Sequence, residues 1–113
     1  MSSIYERALD VLDNQDDNDE YKEIKFDCSS FVQFCYAKNH ISIPRSSSEQ
    51  WNKGQQGNGS AGDIACWNGH VGICDGYGNV IHSYRSDQKI YKDSIEDVST
   101  WDKRKLKGYR KFS

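Results

Sequence analysis

Cys28, His70 and His82 are the residues of this 113-residue chain whose types and order suit them to shared chemistry. Cys28 stands in Phe26-Asp27-Cys28-Ser29, directly before a helix-like stretch. His70 follows 42 residues later in Gly69-His70-Val71-Gly72-Ile73, and His82 another 12 residues on, both in strand-like stretches. A thiol attacks carbonyl carbon only as a thiolate. A helix N-terminus, with about half a positive charge, favours that form. Its free N–H groups also suit the oxyanion of a tetrahedral intermediate. An imidazole on a neighbouring strand would supply the base, and a second imidazole would hold the first in one tautomer. That second role requires His70 and His82 on the same sheet face, which an odd number of residues in the turn between their strands would give. Taken alone, each residue has a plainer reading: a buried structural cysteine, an exposed hairpin histidine. His40 lies in a polar helix-end segment outside the constellation.

These groups need elements to position them. Ile4, Ala8, Val11 and Leu12 recur at helical spacing and predict a first helix over residues 2–13. An acidic loop, 14–20, follows. Phe31, Val32, Phe34, Cys35 and Tyr36 predict a second helix from Asp27 to about Lys38, with Asp27 and Ser29 both good N-cap types. Ile41 to Arg45 is extended ahead of and through Pro44. Ser46 with Glu49 resembles a capping box and starts a short third helix. Residues 52–62 form a Gly-, Asn- and Gln-rich loop. The period then changes: 63–67 and 70–74 are strands around Asn68-Gly69, the strongest short hairpin signal. Residues 80–84 form a third strand, and 89–91 and 107–112 are candidates for two more. Helices first and a meander afterwards predict an α+β domain, helices packed on an antiparallel sheet. One domain over residues 1–113 is expected at this length.

Composition narrows the function. A net charge of −2 speaks against a nucleic-acid partner. The charge is uneven: five carboxylates lie between Asp13 and Glu20, and six basic residues between Lys103 and Lys111. The plain reading is solvated loop and edge. The other is contact with an acidic polymer or partner protein. No apolar run reaches the length of a membrane span, and residues 1–7 carry no Sec-type signal, so a cytoplasmic chain, export without such a signal, or release by lysis is expected. The other three cysteines, Cys35, Cys66 and Cys74, lie in apolar stretches and read as buried thiols, not disulfides. Cys66, His70 and Cys74 would share a helix face as zinc ligands, but the Asn-Gly turn makes this stretch a hairpin, so no metal and no cofactor are expected.

The motifs together resemble those of NlpC-type cell-wall peptidases, which are papain-like. Phe26-Asp27-Cys28-Ser29-Ser30-Phe31-Val32 is similar to the family's Asp-Cys-Ser-Gly-Phe-Val. Ile43-Pro44-Arg45-Ser46-Ser47 resembles Leu-Pro-Arg-Thr-Ser, Gly62-Asp63-Ile64 resembles Gly-Asp-Leu, and His70-Val71-Gly72-Ile73 resembles His-Val-Gly-Ile. Val80-Ile81-His82-Ser83 resembles the strand that bears the third polar residue. The resemblance implies a papain-like NlpC-type fold and hydrolysis of peptide bonds in peptidoglycan stems, commonly between D-glutamate and a diamino acid. It implies Cys28 as nucleophile, His70 as base and His82 as orienting residue, with Asp27 and Ser29 lining the substrate cleft. Tyr21 is the candidate for the tyrosine the family carries near its oxyanion hole. Ser30 departs from the motif's glycine, and residues 19–25 are short and charged where the family is Gly-rich. A signal-less chain of this kind resembles amidase effectors of type VI secretion, which implies a cognate inhibitor (immunity) protein, or phage lysis enzymes. The action would be at the cell wall. Two other readings stand: a related Cys-His amidase cleaving at N-acetylmuramoyl-alanine or in the cross-bridge, and a non-catalytic wall-binding module on a decayed scaffold.

Overall fold

The computed structural model describes residues 3–101 and 104–112. A layer of helices from the first half of the chain packs on one face of an antiparallel sheet, and one short later helix packs on the other. Helix α1, Ser3–Asn14, buries Ile4, Ala8 and Val11 on one face. A single 3-10 turn, Tyr21–Glu23, leads to helix α2, Cys28–Ala37. Asp27 caps α2: its Oδ1 accepts from the Ser30 N–H at 2.8 Å, while the Ser30 hydroxyl accepts from the Asp27 N–H at 2.9 Å. This reciprocal box uses the very residue, Ser30, that departs from the family's glycine. The chain leaves α2 through His40, whose φ of 63° stops the helix. Helix α3, Ser47–Lys53, is capped by Ser46 accepting from the Glu49 N–H.

The sheet has six strands: β1 Gln55–Gln56, β2 Ile64–Trp67, β3 His70–Cys74, β4 Asn79–His82, β5 Tyr91–Ser94 and β6 Leu106–Lys111. Their order is β1-β6-β2-β3-β4-β5, and every neighbouring pair is antiparallel. A short helix α4, Ile95–Val98, follows β5. Alternation along the strands sorts the residues into two cores. Ile64, Cys66, Val71, Ile73 and Ile81 face α1 and α2 and pack on Phe31, Val32, Cys35 and Tyr36. Ala65, Trp67, Cys74 and Val80 face the other way, against Val98 of α4. No helix among the described residues is long and apolar enough to cross a membrane.

The α+β architecture matches the sequence expectation, and so do the three helices, the Asn68-Gly69 hairpin and the third strand. Four features differ. The fifth strand runs over Tyr91–Ser94, not 89–91. Residues 55–56 pair with β6 inside the stretch expected to be loop, because β6 offers them an open edge. The third strand ends at His82, short of the expected Tyr84. Helix α4 was not expected at all. Of the basic run, Lys103 lies outside the described residues.

Candidate active site

Cys28 is the first residue of α2, so its N–H and that of Ser29 have no partner within the helix. The strand ladder explains what the sulfur meets. β3 and β4 pair at Cys74↔Val80 and Ile73↔Ile81. The same register places Gly72 across from His82 and would next pair Val71 with residue 83, but β4 has ended. Ser83 turns instead to donate its hydroxyl to the Phe26 carbonyl at 3.0 Å, pinning the segment before Cys28 into the gap. The Val71 and Ser29 N–H groups are the backbone donors whose pull on the Cys28 sulfur favours its thiolate. The thiol thus enters the plane of the sheet where two strands part.

His70 and His82 lie on one sheet face, as the proposed pairing requires. Five residues, 75–79, separate the paired Cys74 and Val80, an odd number. His82 therefore sits across from Gly72 and diagonal to His70. The face is the one turned away from α1 and α2. Val71 points to the helices and His70 away from them, towards Trp67, whose ring centroid is 5.5 Å from the imidazole. His70 Nε2 and His82 Nδ1 are 2.7 Å apart. Gly72 makes this close seating possible: a Cβ built there would lie 3.0 Å from His82 Cβ. His82 is fully buried, its ring stacked on Tyr84 and Trp101 at 6.0 and 6.3 Å, two rings that themselves lie 4.8 Å apart. Beyond it, His82 Nε2 is 2.9 Å from Asp93 Oδ2 on β5.

Cys28 and His70 line the same cleft, a hollow of about 230 Å³ that Phe26, Ser83, Arg85 and Arg104 also border. A larger hollow of about 630 Å³ lies on the outer side of α2, lined by Ile24, Phe34, Ile41 and Ile43 and by none of Cys28, His70 and His82. Burial sets the protonation states in the cleft. It pushes the Cys28 thiol up, against the pull of the Val71 and Ser29 N–H groups and the Arg104 cation. It draws His70 down to about 3, with the neighbouring His82 and Arg104 adding to the fall. Burial also lowers His82, while Asp93 pulls it back up. The lowered thiol expected from the helix N-terminus is therefore not found. Desolvation outweighs the pull of the N–H groups and of Arg104, and burial favours a neutral thiol beside a neutral imidazole.

Asp27 and Ser29 form a polar corner beside the nucleophile with a third residue, Arg45. Arg45 donates to Asp27 Oδ2 and to the Ser29 hydroxyl, each at 2.8 Å. This guanidinium, more than any other group, holds the Asp27 carboxyl down at about 2. Tyr21 is not brought to the cleft. Its ring is buried against Phe34, and its hydroxyl donates to Asp10 at 2.5 Å and accepts from Arg7 at 2.7 Å. The charged 19–25 segment sends the tyrosine back to α1, not forward to the sulfur. Three residues near the cleft were missed by sequence reasoning. Arg45 stood in the Ile43-Pro44-Arg45 match without a role, Arg104 was one of a basic run, and Asp93 carried no motif. Cys35, Cys66 and Cys74 are buried free thiols, as expected.

Residues 14–110 match the NlpC/P60 family. The chain belongs to the NlpC/P60 family. Peptidoglycan hydrolases and endopeptidases make up that family. A relative from Corynebacterium glutamicum, named a probable endopeptidase, is 38% identical over 77 residues, which are 63% of this chain and 37% of the relative. The chain therefore spans little more than a third of the length of the curated relatives it matches. Among solved structures, NlpC2 from Trichomonas vaginalis superposes with a TM-score of 0.73 at 20% identity, covering 99% of this chain and 48% of its own. The NlpC/P60 domain of the peptidoglycan hydrolase SagA superposes at 0.70 with 21% identity, covering 96% of both chains. At these identities the superpositions speak for the fold, which is the papain-like NlpC/P60 arrangement of helices on an antiparallel sheet.

Proposed function

We propose that this NlpC/P60 chain is a cysteine peptidase acting on peptidoglycan stem peptides, at the bond between D-glutamate and a diamino acid, and that residues 1–113 form one catalytic domain. The observation that carries the reading is the cleft itself. It holds one thiol at a helix N-terminus and one imidazole whose far nitrogen is engaged at 2.7 Å by a second imidazole. In the proposed reaction the Cys28 sulfur attacks the scissile carbonyl carbon as its proton passes to His70 Nδ1. The N–H groups at the start of α2 hold the oxyanion. The intermediate collapses, His70 gives the proton to the departing amine, and a thioester remains. Water then attacks the thioester with His70 again as base, and the acid leaves with Cys28 restored. His82 holds His70 in position throughout. Asp27, Ser29 and Arg45 offer a polar wall to the substrate next to the sulfur. The site of action is the cell wall.

The test is mass spectrometry of muropeptides incubated with wild-type protein and with Cys28→Ala. The wild type is expected to release fragments cut after D-glutamate. Cys28→Ala, which removes one sulfur from the cleft, is expected to release none while still unfolding as one cooperative transition, with a loss of about 1 kcal/mol or less for a half-buried sulfur. Turnover by a folded Cys28→Ala protein refutes the nucleophile. Release of the whole stem peptide from muramic acid, or cutting within the cross-bridge, would instead identify the related amidase chemistry. Binding without any product identifies a wall-binding module.

A further inference from the structure

We propose that Asp93 is a positioning residue of this site: its carboxylate fixes the tautomers of both histidines, and so determines whether His70 Nδ1, the nitrogen left free by His82, carries a lone pair or a proton. The inference rests on the proposed role of His70 as base, but its structural content can be tested without turnover. The geometry is a continuous line of short contacts. Asp93 Oδ2 lies 2.9 Å from His82 Nε2, and His82 Nδ1 lies 2.7 Å from His70 Nε2. A carboxylate only accepts, so His82 Nε2 must carry a proton and donate it. In a neutral ring the other nitrogen, Nδ1, is then bare and accepts. His70 Nε2 must therefore be the donor, which leaves His70 Nδ1 as the lone pair for the proton of Cys28. Without Asp93 the line has no preferred direction. The reverse order would place an N–H on the side of His70 where a base is needed.

The register explains why β5 supplies this residue. Tyr91 pairs with His82, and Asp93 pairs with Val80, so Asp93 is the diagonal neighbour of His82 on the same face. Its position is held from both sides: β5 pairs with β4, and Ser94, the next residue, caps α4. The carboxylate keeps some contact with water, at 22% exposure, while the imidazole it meets has none. Other charged or titratable groups around the two rings are Tyr84, which contacts both, and Arg85 and Arg104, which are cations. Asp93 is the anion hydrogen-bonded to His82. Its effect is to favour protons on His82, and a doubly protonated His82 would donate to His70 and reverse the line. Activity should accordingly fall on the acid side as His82 takes up its second proton.

The experiment compares wild type, Asp93→Asn and Asp93→Glu. The readouts are kcat and KM on purified muropeptides, the pH profile of kcat/KM, and ring-nitrogen NMR shifts of His70 and His82. In wild type the NMR shifts should report protonated Nε2 and bare Nδ1 on both rings. An amide offers donors as well as an acceptor, so Asp93→Asn should give mixed or reversed tautomers. Its kcat should fall by ~10–100-fold, the range for loss of an orienting partner, with KM changed by less than ~3-fold. The acid limb of its profile should move to lower pH, because the group favouring protonation of His82 is gone. Asp93→Glu should restore part of kcat and the wild-type tautomers. Unchanged tautomers in Asp93→Asn would overturn the proposal, whatever the rate. If tautomers respond as stated but Cys28→Ala still turns over, Asp93 keeps its place and the role of Cys28 is what fails.

Discussion

Gly72→Ala should damage the site through packing alone. A Cβ at this position would lie 3.0 Å from His82 Cβ, 3.2 Å from Val80 Cβ and 3.4 Å from the Ile81 carbonyl oxygen. The first two contacts are a few tenths of an ångström tighter than ordinary carbon–carbon packing, so the neighbours must move. They belong to β4, which is hydrogen-bonded to β3 on one side and to β5 on the other, so β4 has little freedom to retreat. Overpacking of this kind costs about 1–3 kcal/mol. For a domain of this size each kcal/mol lowers Tm by ~4 °C, so a fall of ~4–12 °C is expected. The same shift moves His82 away from His70, whose contact is 2.7 Å, and the rate should fall by ~10-fold or more. Thermal unfolding followed by circular dichroism reads the first effect and muropeptide hydrolysis the second. Gly78→Ala is the control. Gly78 has φ +87° with nothing within 4 Å of a built Cβ, so alanine there strains the backbone by ~1–2 kcal/mol without touching the histidines. Gly78→Ala should lose stability and keep its rate. A Gly72→Ala protein with wild-type Tm and rate would refute the packing account, and an equal loss of rate in Gly78→Ala would show that stability alone is being read.

Stability to urea should fall as pH drops from about 6.5 towards 3: His70 is drawn down to about 3 when folded, so in that window the unfolded chain binds the proton and the folded one does not. The slope from this group is at most ~1.4 kcal/mol per pH unit, and His70→Gln should flatten it; an equal slope in His70→Gln would remove the group from the effect. Tyr21→Phe should lower stability by ~1–2 kcal/mol, because the hydroxyl bonded to Asp10 and Arg7 is lost, while muropeptide turnover stays within ~2-fold. A large loss of turnover at unchanged stability would return Tyr21 to the cleft.

What could be read from the sequence followed local physics. Asp27 before an apolar run marked the start of α2, Ser46 with Glu49 that of α3, and Asn68-Gly69 marked the hairpin. These signals lie within a few residues of the structure they determine. The relation of His70 to His82 was legible as a parity condition, because period-two alternation and a turn length are enough to settle a face. Which face it would be was not legible. That depends on Val71 and Ile73 winning the helix side, a competition across the whole sheet. Tyr21 was misplaced for a related reason: motif order put it before the cysteine, but its partners, Arg7 and Asp10, lie on α1 and carry no signal at that distance. Asp93 was missed because its role arises only from the register of β5 on β4, and the strand's sequence, Tyr91-Lys92-Asp93-Ser94, has no apolar alternation to announce it.

The two halves of the site come from opposite sides of the sheet, and this division has a mechanical consequence. The thiol is delivered by α2 from the helix layer, and the imidazoles stand on the far face among Trp67, Tyr84 and Trp101. They can meet only where the sheet is open, at the end of β4. A longer β4 would pair residue 83 with Val71 and close that opening. The Ser83 hydroxyl bond to the Phe26 carbonyl prevents this, holding residue 83 against the segment before Cys28 instead of against β3. At the same break the Val71 N–H pulls on the Cys28 sulfur. The end of one short strand therefore determines how the thiol approaches, which donor it meets, and from which side the base reaches it. The Asp93–His82–His70 line runs in the other direction, from the β5 edge inward, and meets the thiol at that break. A nucleophile carried by a helix and a base oriented by cross-strand neighbours are thus positioned by separate cores, the one around Phe31 and Tyr36 and the other around Trp67 and Val80. Loss of packing in either core should misalign the pair, even at positions that touch neither residue.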